Sequence, residues 1–217
     1  LLARAVKNLY PEAKLAIGPT IKDGFYYDVA TSEAISSDDL ERIEKEMRRI
    51  AEEGHDIVKK IVSKDEAIKI FQERGEDYKI EIMNDSGDDE FQLYFQNDTG
   101  FVDLCRGPHL PSLKKVGVFK LIKVAGAYWR GDSDKEMLTR IYGTAWATPQ
   151  ELKDYLYRME EAEKRDHRKI CQTMDLLHFQ PEAPGQVFWH DKGWRMFRQL
   201  ENYIREKLKV RNYQEVN

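Results

Sequence analysis

Cysteine is scarce. Cys105 and Cys171 are the only two in 217 residues, too few to build a disulfide framework, and that scarcity points to a reducing cytoplasm. Long apolar runs are missing as well: no window is apolar enough to cross a bilayer and no secretory leader is legible, which argues against a helical membrane span. Neither sign of charge prevails. With 35 Lys and Arg against 39 Asp and Glu, a formal net charge of −4, a nucleic-acid partner would have to be held by local basic patches rather than by global attraction. No internal repeat and no low-complexity tract is present, so repeat arrays are excluded too. What remains is 41% hydrophobic and 34% charged, the balance of a soluble globular protein with charged helix surfaces, long enough for one good core and part of a second.

The densest chemistry lies at Asp103-Leu104-Cys105-Arg106-Gly107-Pro108-His109, which gathers a carboxylate, a thiol, a guanidinium and an imidazole. Gly107-Pro108 cannot continue a helix, because proline lacks the amide donor and clashes with the preceding turn. Cys105 and His109 are therefore presented from a bend. Two readings stand at this point: a structural turn with a buried thiol and a hydrogen-bonded imidazole, or one wall of a pocket.

Along the chain, Gly18-Pro19 and Asp23-Gly24 bracket a turn-rich segment, and the aromatic run Phe25–Val29 reads as a strand. Asp38, with Glu41 three residues on, opens a helix that carries Leu40, Ile43, Met47 and Ile50 on one face and stops at Gly54. Ile57–Val62 reads as a strand, and Ser63 with Glu66 caps a short helix through Phe71. Arg74–Asp77 then turns the chain into Tyr78–Met83, and 85–90 is an acidic loop, read as a solvated excursion rather than a metal site. Short strands are expected at Phe91–Phe95, Val118–Val124, Ala127–Trp129 and Met137–Ala145. A few helices mixed with turn-linked strands make an α+β domain rather than a doubly wound one. Thr148-Pro149-Gln150-Glu151 is a strong helix start, and the helix it launches loses its apolar stripe and turns charged through Lys169. The cluster Lys164, Arg165, Arg168 and Lys169 reads either as a solvated face or as a contact to a nucleic-acid backbone. Gly193-Trp194 is turn-rich, and Phe197, Leu200, Ile204 and Leu208 mark one face of an amphipathic helix. Leu1–Tyr10 has helical spacing without a methionine or cap, and 213–217 alternates like an entering strand, so the sequence reads as part of something larger.

These residues, read together, resemble the threonyl-tRNA synthetase family along essentially the whole chain. The likeness rests on Ile17-Gly18-Pro19 with Gly24–Asp28, on Asp103–His109, on Ala127–Asp132 and on Arg140–Trp146. It continues through Arg165–Ile170, Pro184-Gly185, Trp189 and the segment ending in Tyr213–Val216. The resemblance implies that residues 1–147 are an editing domain of mixed helices and mainly antiparallel sheet, which hydrolyses serine wrongly esterified to threonine tRNA. By the same likeness 148–174 is a linker helix and 175–217 the opening of the class II aminoacylation domain, with the first class II motif that packs at a dimer interface. Members of the family join threonine to tRNA with ATP, and they hold ATP, Mg and Zn in motifs missing here; no cofactor or metal is expected in this chain, and it is not expected to charge tRNA. The implied partner is the acceptor end of threonine tRNA, with no membrane or DNA, in a cytoplasmic homodimer.

Physics supplies the reason for editing. Serine lacks only one methyl of threonine, and a pocket gains about 1–3 kcal/mol from such a group, so a second site that accepts serine and refuses threonine must complete the discrimination. Hydrolysis of an aminoacyl ester needs a water aligned on the carbonyl and stabilisation of the charge developing on its oxygen. By resemblance Lys79 and Asp103 hold the water or the ester and terminal adenosine, and His109 contacts the serine or the water. Tyr27 and Gly18 belong to the pocket wall, and Cys105 lies in it without acting as a covalent nucleophile. A His-x-x-x-His pair carried by the family on its first editing-domain helix would fall before Leu1 and is absent from this sequence.

Two alternatives accompany this reading. One is a zinc-dependent deacylase of the alanyl-tRNA synthetase editing type, in which Cys105 and His109 would supply ligands. The other is a non-catalytic tRNA-binding module using Lys164, Arg168 and their neighbours on phosphates.

Overall fold

The computed structural model describes residues 1–216, which form two compact units, Leu1–Leu152 and a second that begins at Lys153. In the first unit the elements run α1 (Leu2–Leu9), β1 (Lys14–Leu15), β2 (Thr20–Ile21), β3 (Gly24–Ala30), α2 (Leu40–Glu53), β4 (Ile57–Ser63), α3 (Lys64–Gln72) and α4 (Asp77–Ser86). They continue with β5 (Glu90–Gln96), β6 (Phe101–Leu104), β7 (Val118–Tyr128) and β8 (Met137–Trp146). Then α5 (Pro149–Lys164) crosses the division, followed by α6 (His167–Thr173), β9 (Leu177–His178), β10 (Phe188–Trp189) and α7 (Asp191–Val210).

The first unit is built on two antiparallel sheets. The larger has the order β1-β3-β8-β7, with β2 also paired to β3; the smaller has the order β4-β5-β6. Mixed helix and antiparallel sheet is the α+β architecture expected. One core forms where α1 and α2 lie on the large sheet: Ile43, Met47 and Ile50 of α2 recur at helical spacing, and each is no more than 1% exposed. Burial of each such side chain contributes about 1.5–3 kcal/mol. A second core packs Ala67, Phe71 and Met83 of α3 and α4 on Phe91 and Leu93 of β5 and Val102 of β6.

Several local expectations change in the structure. The capping box is not Asp38 with Glu41 but Ser36 with Asp39, whose carboxylate accepts the Ser36 amide at 2.9 Å and closes a short turn at Ser37–Asp39 from which α2 continues. The strand expected in two pieces at 118–129 is one strand with a register shift between Leu121 and Lys123. At that irregularity the amide of Leu121 donates to the buried Glu44 of α2 at 3.0 Å, so a helix carboxylate satisfies what the ladder leaves open. Trp129 leaves the strand and enters a tight turn. Tyr78–Met83 falls within helix α4, capped at its end by Gly87 in the left-handed region.

At the end of the first unit, Thr148 and Glu151 form the expected reciprocal cap of α5, at 3.3 and 2.9 Å. The charged run does not continue as one helix to 174. Asp166 accepts the amide of Arg168 at 2.9 Å and starts α6 as a separate helix. Gly193 is not in a turn; it lies inside α7, where a Cβ would stand 2.0 Å from the carbonyl oxygen of Leu176. Glycine is needed there for close approach, not for flexibility. Tyr213–Val216 forms no strand, and Asn217 lies outside the described residues. Only Leu176 and Gly193 are buried among the described residues of the second unit, and the α7 face bearing Phe197, Leu200, Ile204 and Leu208 is exposed. A polar chain lies on its surface: His190 Nδ1 is 2.7 Å from Asp175, and His190 Nε2 is 2.7 Å from His178 Nδ1.

Candidate active site

Lys79 is the least expected residue of the first unit, a lysine only 2% exposed. Its burial follows from the face of α4 it occupies. Met83, one turn on, plugs the second core, and Tyr78 stacks edge-on against Trp129 with centroids 4.9 Å apart, which turns the Lys79 side inward. The start of α4 is fixed by Glu76, 4% exposed, which accepts the Leu15 amide at 2.7 Å and pairs with Lys7 at 3.0 Å.

A buried ammonium requires a counter-charge, because desolvation alone would cost several kcal/mol. Asp103 provides it. Lys79 Nζ stands 2.7 Å from Asp103 Oδ1 and donates to the Tyr27 hydroxyl at 2.9 Å, while that hydroxyl donates to Asp103 Oδ2 at 2.7 Å. The Leu104 amide adds a fourth bond, to Asp103 Oδ1, at 2.8 Å. Strands β3 and β6 and helix α4 thus contribute one polar group each to a closed triangle. Burial, with the Asp103 carboxylate acting in the same direction, pushes the Tyr27 phenol well above its ordinary value, so it remains a neutral donor. Gly18 backs this group: a Cβ there would lie 2.2 Å from the Tyr27 ring.

The bend carries the next residues. Tyr94 of β5 pairs in register with Asp103 of β6, and the Tyr94 ring lies against His109 with centroids 4.3 Å apart and planes at 60°. Gly107 has φ 66°, and a Cβ there would come within 1.9 Å of the Tyr94 hydroxyl, so no other residue fits the bend without moving that ring. The Gly107 amide donates to Cys105 Sγ at 3.3 Å, which makes the half-buried thiol an internal acceptor of the turn. His109 has one ring face covered and the rest open to solvent; partial burial lowers its pKa, so the imidazole is neutral at pH 7.

The structure therefore brings Lys79, Asp103 and Tyr27 into direct contact, with Gly18 behind them, and sets Cys105 and His109 on the adjoining bend. Sequence reasoning passed over Tyr94 and Glu76. Tyr94 had a legible signal: Gln92, Tyr94 and Gln96 alternate as the polar side of β5, and such a row on a half-buried strand marks a face turned toward a site. Among the described residues, no three His, Cys, Asp or Glu side chains gather closely enough to hold a metal ion. The basic cluster on the second unit is neutralised locally. Lys164 pairs with Glu160 and Glu161, Arg165 with Glu161, Arg168 with Asp166 and Lys169 with Glu163, the pattern of a solvated charged face.

Comparison with known proteins adds an independent line. Residues 92–142, from β5 into β8, match the "Threonyl and Alanyl tRNA synthetase second additional domain". The whole chain is similar to a threonine–tRNA ligase of Prochlorococcus marinus, 54% identical over 217 residues, which are 100% of this chain and 34% of that protein. Those of Saccharophagus degradans and Coxiella burnetii are each 52% identical over the same 217 residues, 34% and 33% of their lengths. The chain spans about a third of the length of the curated relatives it matches.

Proposed function

We propose, on the premise that the chain belongs to the threonyl-tRNA synthetase family, that its first unit hydrolyses the ester of serine wrongly joined to threonine tRNA. The observation that carries this is the Lys79–Asp103–Tyr27 triangle, a buried charge pair beside a neutral, half-open imidazole. Such a site supplies what ester hydrolysis needs. The Lys79 ammonium, already desolvated, stabilises the negative charge that builds on the carbonyl oxygen as water adds. Neutral His109 takes a proton from that water as the carbon–oxygen bond forms, then returns it to the ribose oxygen as the ester bond breaks. The products are free serine and an intact tRNA end. Asp103 holds Lys79 and Tyr27 in place and binds the terminal ribose. No covalent step at Cys105 is required, since its sulfur is engaged within the bend.

Aminoacylation with ATP, and pairing as a homodimer, are properties we assign to the full-length relatives rather than to these units. The test is ester loss from seryl-tRNA specific for threonine, followed for the parent chain and for Lys79→Ala and His109→Ala. A fall of about 10²-fold or more is expected in each variant, with circular dichroism confirming that the variants are folded. Undiminished hydrolysis in both folded variants would remove the assignment. One tightly bound zinc per chain, lost on His109→Ala, would favour the metal-dependent alternative, and tRNA binding without any ester loss would favour the binding module.

A further inference from the structure

Two of the segments that carry the family resemblance, 127–132 and 140–146, add no side chain to the Lys79–Asp103–Tyr27 triangle. They meet on the other face of the large sheet. Strand alternation is the reason: β3 turns Tyr27 toward Asp103 and its neighbours Tyr26 and Asp28 the opposite way. Tyr26 faces Tyr142 across the β3–β8 pair with ring centroids 5.7 Å apart. Asp28 faces Arg140 and receives two bonds from its guanidinium, at 2.7 and 2.8 Å. The same guanidinium also stands over an aromatic ring, its central carbon 4.0 Å from the centre of Tyr26, and Lys123 stands 4.9 Å from the centre of Tyr142.

Beside these residues opens a cavity of about 350 Å³ walled by Ile17, Tyr26, Ile82, Tyr128, Arg130 and Arg140. Arg130 reaches its rim from a left-handed backbone, φ 56°, a conformation that disfavours any side chain. Its guanidinium lies 5.3 Å from the centre of the Trp129 ring. Rings and planar guanidiniums line a nucleotide-sized space, with the Lys123 ammonium over the neighbouring Tyr142 ring, and this chemistry suits unpaired nucleic acid, whose bases stack on rings and whose phosphates meet cations. The nearby carboxylates do not oppose this. Asp28 is matched by Arg140, and Glu81 and Asp85 by Arg130 and Lys135, whereas Lys123 has no carboxylate partner among the described residues.

The cavity and the proposed hydrolytic site draw residues from the same elements. Ile17 lines the cavity while Gly18 backs Tyr27, and α4 sends Lys79 to one and Ile82 to the other. We infer that this face holds the unpaired nucleotides that immediately precede the esterified terminal adenosine, with a base stacked on Tyr26 and Tyr128 and a phosphate at Lys123. The inference rests on the deacylase reading and names how that site takes hold of its substrate.

The test uses Tyr128→Ala and Lys123→Ala, two exposed positions outside the hydrolytic cluster. Three readouts are compared: hydrolysis of seryl-tRNA, hydrolysis of the seryl ester of adenosine alone, and fluorescence anisotropy with a labelled single-stranded RNA hexamer ending in CCA. We expect KM for seryl-tRNA to rise about tenfold with kcat unchanged, and hexamer affinity to fall by a similar factor. The Lys123→Ala variant should also lower the salt dependence of binding. Hydrolysis of the adenosine ester should match the parent. Parental KM and parental hexamer affinity in both variants would overturn the inference while leaving the deacylase reading intact. Should the parent hydrolyse neither ester, the deacylase reading fails on its own, and the hexamer still decides this face: weakened binding in the variants supports it, unchanged binding overturns it.

Discussion

Both units of this chain contain a short run of polar side chains ending on a carboxylate, a closed triangle in the first and an open chain in the second, and the two runs differ most in their exposure to solvent. In the first unit Lys79, Tyr27 and Asp103 are tied at 2.7–2.9 Å, with the Lys79 side chain 3% and the Asp103 side chain 18% exposed. In the second, His178, His190 and Asp175 are linked at 2.7 Å each, but the Asp175 side chain is 81% exposed. The distances are alike; the solvent is not. Water screens and replaces the bonds of the surface run, whereas the buried run has nothing else to bond to, so its members depend on one another. That dependence fixes geometry, which ester hydrolysis needs and a surface network does not supply.

The largest effect should come from breaking the buried pair. Asp103→Ala leaves the Lys79 ammonium without a counter-charge and should destabilise the first unit by about 3–5 kcal/mol, measured by urea unfolding. Replacing both partners, Lys79→Met with Asp103→Leu, should recover much of that loss while hydrolysis stays absent, because two apolar groups leave no orphan charge. A double variant no more stable than Asp103→Ala would mean that the pair is not the cause.

Next in size is a pH effect from His109, whose partial burial holds its pKa below the ordinary value. As pH falls through about 6.5 the unfolded chain takes up this proton first, while the folded imidazole stays neutral. Stability from this residue is therefore complete above about pH 6.5 and declines as the solution is acidified toward the folded pKa. His109→Gln should flatten that part of the stability curve. In the proposed reaction the same lowering keeps His109 a proton acceptor at neutral pH, so hydrolysis by the parent chain should decline on acidification through the folded pKa.

How much of this could be read from the residues depends on the range of the interactions. The α2 face, the Thr148–Glu151 cap and the bend at Gly107-Pro108 are written within a few neighbouring positions, and they form as the spacing predicts. The inward turn of Lys79 depends on Met83 packing against other elements and on Tyr78 finding Trp129 far along the chain, and no local pattern encodes that. Gly193 looked like a turn because its reason for being glycine, the Leu176 carbonyl, lies outside any local window. The helix break at Asp166 was obscured by the surrounding charge, though Asp is a good cap wherever a helix restarts. Family resemblance reached Lys79, Asp103 and Tyr27 where spacing could not. Tyr94, the ring that fixes the positions of Gly107 and His109, was marked only by the alternation of β5, which places it on a face without saying what it meets there.

The smallest effect completes the comparison. His190→Ala removes the middle of the surface run, and both neighbours then face water. The change should alter the stability of the second unit by less than about 0.5 kcal/mol. It should also leave seryl-tRNA hydrolysis at the parental rate, since that reaction is proposed for the first unit alone. The outcome is not trivial, because the two imidazoles and the carboxylate form a chain consistent with a single set of tautomers: His190 donates from Nδ1 to Asp175 and accepts at Nε2 from His178. If short contact distances alone governed stability, this run would matter as the buried one does. A loss of 2 kcal/mol or more on His190→Ala (~2, the scale of a buried bond left unmade) would show that contact distance outweighs solvent exposure here, and the contrast between the two units would have to be drawn on other grounds.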